Sequence, residues 1–151
     1  MQITILSVGG QTPEFIQHGL DTYTKRFRYP FTVTHRHLSN NHHGQDKRKQ
    51  DSHVLQQALT KGAYTILLDV TGQTWTSEQL TKQLTTLQHT HQQITLIIGG
   101  SDGADDQLKA SVHARWSLSA LTFPHQLVRL LLTEQLYRAY SLITNHPYHR
   151  S

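Results

Sequence analysis

The chain contains no cysteine in 151 residues, which excludes disulfides, thiolate metal sites and a thiol nucleophile. It also lacks any apolar stretch near the roughly 20 residues of a membrane span. The N-terminal MQITILSVGG has neither a basic lead nor a cleavage-type ending, and reads as a first strand instead of a secretion signal. Hydrophobic residues make up 36% of the chain, below the roughly 45–50% usual for globular domains, while Thr and Gln are abundant. Aliphatic runs at 64–70, 94–98 and 127–143 still supply a core, so general disorder is excluded. A mass of 17.3 kDa fits one domain spanning 1–151. A soluble cytoplasmic protein is expected.

Charge is in small excess, +4 with histidine neutral, but it is unevenly placed. Residues 23–50 hold Lys25, Arg26, Arg28, Arg36, Lys47, Arg48 and Lys49 against Asp46 alone, and residues 107–151 hold five basic residues against Glu134. The stretch between them is acidic. Were folding to bring the two basic regions onto one surface, that surface would attract a polyanion by counterion release. The alternative for Lys47, Arg48 and Lys49 is a merely solvated loop or helix start.

Strand and helix patterns alternate. Gln2 to Val8 reads as a strand closed by Gly9 and Gly10. Thr12 and Pro13 open a helix to about Arg26, with Pro at the first helical position and Phe15, Ile16, Leu20, Tyr23 and Phe27 on the buried face. Phe31 to Leu38 has strand character. Ser39 to Gln50 has no apolar residue and reads as a loop leading into a helix over about 51–61. The run YTILLDV, 64–70, predicts a strand buried on both faces of a parallel sheet. Thr76 and Gln79 form a capping box, with Trp75 placed to staple onto Leu80 and Leu84 and Leu87 continuing the stripe. A second buried strand, 94–98, runs into Gly99, Gly100 and Gly103. A helix over about 105–113, a strand at 115–118 and a long helix from His125 to about Ile143 complete an α/β fold with a mostly parallel sheet flanked by helices.

The turn Gly99-Gly100-Ser101-Asp102-Gly103 lies where α/β proteins bind nucleotides, yet it has neither the dinucleotide glycine spacing nor the Gly-Lys-Ser/Thr of a phosphate loop. A plain structural turn is the competing explanation. The twelve histidines include His35, His37, His42 and His43, but no metal-binding pattern emerges and no metal is expected. Serine hydrolase motifs are absent. The segment from Trp116 to Arg150 combines a small-residue turn that exposes backbone groups, a Pro124-stiffened helix start and a His-, Tyr- and Arg-bearing tail.

This last segment, LSALTFPHQLVRLLLTEQLYRAYSLITNHPYHR, closely resembles the C-terminus of the RlmH-type ribosomal RNA methyltransferases of the SPOUT superfamily. The likeness extends through ITILSVGG, TPEFI, ILLDV and IGGSDG to the whole chain. It implies a C-terminal trefoil knot, S-adenosylmethionine as cofactor, a homodimer, and methylation of N3 of pseudouridine 1915 in helix 69 of large-subunit (23S) rRNA on assembled ribosomes. It also implies a cofactor cleft lined by Leu68, Gly99, Leu118, Ser119, Ala120, Leu121, Thr122 and Phe123, with Arg138, Tyr148 and His149 as catalytic residues. Residues 31–62 depart most from the family pattern, which leaves the RNA contacts of that region open.

Methyl transfer to N3 requires loss of an imide proton. His149, or a water that it orients, is one candidate to remove it, the competing role being a phosphate contact. Arg138 either stabilises charge on the flanking oxygens or pairs with Glu134, four residues earlier on the same helix face. The long helix is apolar around most of its circumference, which fits a dimer contact or a position central to one monomer's core. A non-catalytic RNA- or ribosome-binding factor is the alternative function, and it would leave the turns at 99–103 and 118–123 without a role.

Overall fold

The computed structural model describes residues 1–40 and 42–148. Five strands form one sheet in the order β2-β1-β4-β3-β5, and every neighbouring pair is parallel. The strands are β1 (Gln2–Gly9), β2 (Thr32–Ser39), β3 (Tyr64–Thr74), β4 (Gln93–Ile98) and β5 (Ala114–Ser117). The helices are α1 (Glu14–Thr24), α2 (Lys47–Gln57), α3 (Ser77–Thr90), α4 (Asp106–Ser111) and α5 (His125–Ile143).

Strand side chains alternate between two apolar layers, as a sheet covered on both faces requires. Ile3, Ile5, Val33, Ile66, Ile94, Leu96 and Ile98 share a core with Phe27, with Leu80, Leu84 and Leu87 of α3, and with Leu132, Leu136, Tyr137 and Tyr140 of α5. Leu6, Val8, Leu67 and Ile97 face the other way, onto Leu55 of α2 and Leu108 of α4. The helix α5 lies between α1 and α3 on the first face.

Most expected elements form, and α5 has the expected bounds. The capping box of α3 is complete: Gln79 N–H donates to Thr76 Oγ1 at 3.1 Å and Thr76 N–H to Gln79 Oε1 at 2.9 Å. Trp75 joins the core that contains Leu80 and stacks on Trp116, with ring centroids 5.2 Å apart.

Four local expectations are corrected. Phe15 is 70% exposed, because Ile16, Leu20, Tyr23 and Phe27, spaced by four and three, already define the buried stripe and Phe15 lies off its edge. Pro13 precedes the first helical residue, and the Thr12 hydroxyl makes no cap, accepting instead from Arg129 Nη1 at 2.6 Å. The second helix begins at Lys47, not Asp51, and ends at Gln57. Its extra turn has no apolar residue to signal it and is held by polar contacts, Lys47 Nζ to Asp51 Oδ2 at 3.0 Å and to Ser101 Oγ at 2.8 Å. Finally, β3 continues past Val70 to Thr74, since a register shift between Leu68 and Gln73 lets Gln73 and Thr74 pair with Trp116 and Ser117.

Candidate active site

The carboxyl ends of β3, β4 and β5 open into a cleft of about 540 Å³, a size suited to a nucleoside-bearing ligand. Three chain segments build it: Leu68 to Val70 after the buried part of β3, Ile98 to Ala104 after β4, and Ser117 to His125 between β5 and α5. Of the residues expected at the cofactor, Leu68, Gly99, Leu118, Ser119, Leu121, Thr122 and Phe123 all line this space. Ala120 is exposed and is not part of the wall. In the last segment, Ser119 Oγ accepts from Leu121 N–H at 3.0 Å and Ser117 Oγ donates to the Ser119 carbonyl at 3.1 Å. These bonds fold the small-residue turn back on itself.

The glycine turn is built for close packing. Gly103 N–H bonds the Gly100 carbonyl at 2.8 Å, and Gly103 has φ +82°, a conformation that disfavours side chains. A Cβ on Gly99 would stand 3.2 Å from Gly103 C and Ala104 N. Position 99 is therefore tightly packed by the turn itself, before any ligand enters.

Charged groups rim the cleft. Asp69 lies 3.2 Å from Arg115 Nη1 and 3.8 Å from Lys109 Nζ. Burial works to raise its carboxyl pKa, but the Thr71 N–H at 3.0 Å, Lys109 and Arg115 outweigh burial and hold the group below the usual carboxylate range. Arg48, from the extra turn of α2, reaches the same cleft. Asp69, Lys109 and Arg48 were not among the expected site residues. Asp69 ends the ILLD run, which was its only signal, and nothing local placed Arg48.

At the end of the third cleft segment, His125 Nε2 donates to the Val8 carbonyl at 2.7 Å. Its pKa is lowered by burial first, against the raising effect of the bond to Val8 and with smaller lowering contributions from His37, Arg129 and Lys47. The ring thus ties α5 to β1.

Arg138 and Tyr148 do not reach this cleft within one chain. Arg138 lies thirteen residues along α5 from His125, about 20 Å at 1.5 Å per residue. There it pairs with Glu134, Nη2 to Oε1 at 2.7 Å, so the pairing weighed from the sequence is present. Tyr148 donates to the same Glu134 oxygen at 3.0 Å, packs under the Arg138 guanidinium at 5.4 Å and hydrogen-bonds Tyr23 at 3.1 Å between hydroxyls. Burial, then the bonds to Tyr23 and Glu134, raise its pKa well above the phenol value. His149 lies outside the described residues.

The two basic regions do meet. Lys25, Arg26 and Arg28 from the first region line one open groove with Tyr137, His146, Pro147 and Tyr148 from the second. Arg26 lies over the rings of Tyr23 and Tyr137, 5.7 and 5.9 Å from their centroids. Among the described residues, no helix is long and apolar enough to cross a membrane.

Residues 1–149 match the family model described as predicted SPOUT methyltransferase. The ribosomal RNA large subunit methyltransferase H of Hahella chejuensis is 36% identical over 155 residues, covering 99% of each chain. Those of Burkholderia ambifaria and Dichelobacter nodosus are 38% and 36% identical over 156 residues, covering all of both chains. With a parallel sheet, a three-loop cleft at its carboxyl edge and a likeness that runs end to end, the chain belongs to the SPOUT methyltransferase family and has the trefoil-knot fold which that family implies.

Proposed function

We propose that this protein is an S-adenosylmethionine-dependent methyltransferase that modifies N3 of pseudouridine 1915 in helix 69 of large-subunit ribosomal RNA, acting as a homodimer on assembled ribosomes. The observation that carries the reading is the cleft: backbone turns, apolar walls and a charged rim at the carboxyl ends of β3, β4 and β5. The full-length likeness to large subunit methyltransferase H proteins supports the substrate.

The residues present fit such a cofactor. Leu68, Ile98, Leu118, Leu121 and Phe123 offer apolar walls to an adenine ring, and the turns at 99–103 and 118–123 offer backbone hydrogen-bonding groups to its edge. When bound, S-adenosylmethionine supplies a methyl group activated by its sulfonium. The chain's own contribution is positioning: the target nitrogen must stand behind the methyl carbon, in line with the bond to sulfur. Transfer to N3 would also require the N3 proton to pass to a base held by the chain. His149, or a water it holds, takes that proton, and Arg138 stabilises the negative charge spreading to the flanking carbonyl oxygens.

A second copy completes the site. The cleft and the Arg138–Tyr148 cluster lie far apart along α5, so the tail of one subunit serves the cleft of its partner. Leu127, Leu130 and Leu131 are only partly covered in the single chain, leaving an apolar strip on α5 for that contact.

Calorimetric titration of the purified protein with S-adenosylmethionine is the first test, with saturable binding expected. No binding would favour the non-catalytic ribosome-binding factor. Mass spectrometry of the helix 69 fragment from cells lacking the gene should then show loss of one methyl group on the pseudouridine.

A further inference from the structure

Among the described residues, Asp51 is the most deeply buried acidic residue, 1% exposed. It sits on α2 and does not line the cofactor cleft. A buried carboxylate is unfavourable unless paired and hydrogen-bonded, and docking of α2 on the sheet is already served by Leu55, which is fully buried. The surroundings of Asp51 show what else it does. Its Oδ2 accepts from Lys47 Nζ at 3.0 Å, its Oδ1 lies 3.1 Å from His42 Nδ1, and a Cβ on Gly100 would overlap its carboxylate.

The same short stretch of α2 touches the glycine turn at two further places. Lys47 Nζ donates to Ser101 Oγ at 2.8 Å. Ser52 Oγ accepts the Asp105 N–H at 2.9 Å, at the residue that caps α4. The chain from Gly100 to Asp105 is thus held from below by Asp51, Lys47 and Ser52. That stretch overlaps the 99–103 turn, which has glycines at three of five positions, 99, 100 and 103, and is costly in backbone entropy to order.

We propose that Asp51 is a positioning residue for the cofactor: packed beneath Gly100 and tied to Ser101 through Lys47, it holds the 99–103 turn in its binding shape before the ligand arrives. The inference rests on the methyltransferase reading above. A turn ordered in advance loses less entropy on binding, so the brace acts on affinity. It makes no contact with the reacting atoms and leaves the transfer step alone.

Asp51→Asn keeps the shape and removes the charge. It is expected to weaken S-adenosylmethionine binding about tenfold in calorimetry, in keeping with loss of a charged hydrogen bond. The KM for cofactor should rise correspondingly while kcat is retained. In the ligand-free protein, amide exchange at Gly103, whose N–H bonds Gly100, should accelerate while the amides of β1 keep their protection. Lys47→Met cuts the tie to Ser101 at a half-buried side chain and should give a smaller loss of the same kind; it carries the test if the Asp51 variant does not fold. Asp46→Asn removes an equal charge from the exposed start of the helix and should leave affinity unchanged. Wild-type binding with equal affinity in Asp51→Asn, loss of kcat at constant KM, or an equal loss in Asp46→Asn would each overturn the brace alone. Failure of the wild-type protein to bind at all would instead overturn the methyltransferase reading, and the brace with it.

Discussion

The carboxylate of Glu134 pairs with Arg138 one helical turn further along α5, Nη2 to Oε1 at 2.7 Å, and the same oxygen accepts the Tyr148 hydroxyl at 3.0 Å. One acceptor thereby fixes both a helix arginine and the chain's tail. The ring of Tyr148 also packs edge-on against Tyr137, 4.7 Å between centroids, and against Tyr23.

Glu134→Gln should therefore reduce methylation without touching the cofactor. The amide keeps the size of the side chain but loses the charge that orients Arg138, and charge-assisted bonds are about twice as strong as neutral ones. The expected outcome is a single-turnover rate lowered by about tenfold, equivalent to about 1.4 kcal/mol, with S-adenosylmethionine affinity unchanged. An unchanged rate would make the pairing a stabilising contact only.

Gly99→Val should abolish cofactor binding. Even a Cβ meets the backbone of residues 103 and 104 at 3.2 Å, so a branched side chain forces the turn open. His149→Gln tests the other half of the site: cofactor affinity should survive and the single-turnover rate should fall. Calorimetry and quench-flow measurements separate the two, and retained affinity in Gly99→Val would mean that the cleft is misassigned.

The parallel α/β class and the positions of the turns that build the cleft were legible in the sequence because both follow from contiguous patterns, whereas the cofactor residues came from the family resemblance. YTILLDV and ITLII are apolar on alternate faces, the Thr76–Gln79 box marks a helix start, and the turns at 99–103 and 118–123 follow strands directly. What stayed hidden depends on partners distant in the chain. The first turn of α2 is held by Ser101, more than fifty residues away, and has no apolar period to reveal it. The end of β3 is polar and is a strand only because β5 pairs with it. Ala120 sits within a run of cleft residues but turns outward, and neighbours in sequence give no sign of that. The separation of Arg138 and Tyr148 from the cleft is likewise a matter of helix length and packing.

Stability should fall as pH drops from about 6.5 toward 4. His35 is held down to about 4, by burial first and then by Arg129, against a raising influence from Asp21. Its Nε2 bonds Thr24 at 3.0 Å, while Nδ1 is buried with no partner among the described residues. An unfolded chain would protonate this ring near 6.5, so between the two values the unfolded state binds more protons. The contribution is fully present above the unfolded pKa and is lost by about pH 4, amounting to about 3 kcal/mol at most. His37 and His125, also lowered by burial, act in the same direction. Denaturant midpoints measured across this range should decline, and His35→Gln should flatten the slope; a slope unaffected by the substitution would place the proton uptake elsewhere.

Gly72→Ala should destabilise the fold and loosen the cleft together. Gly72 has no left-handed φ, so its need for glycine is one of space: a Cβ there would lie 2.6 Å from Arg115 C and 2.7 Å from Trp116 N, both backbone atoms that cannot swing aside. The methyl group would drive β5 away from β3 at the register shift. That movement disturbs the Trp75–Trp116 stack and carries Ser117, the first residue of the third cleft segment, out of place. Overpacking of this kind costs about 2 kcal/mol. The denaturation midpoint and the S-adenosylmethionine affinity should therefore fall in the same variant, although Gly72 is not part of the cleft wall. A loss of stability with full affinity would show that the turn at 117–123 keeps its shape independently of β5.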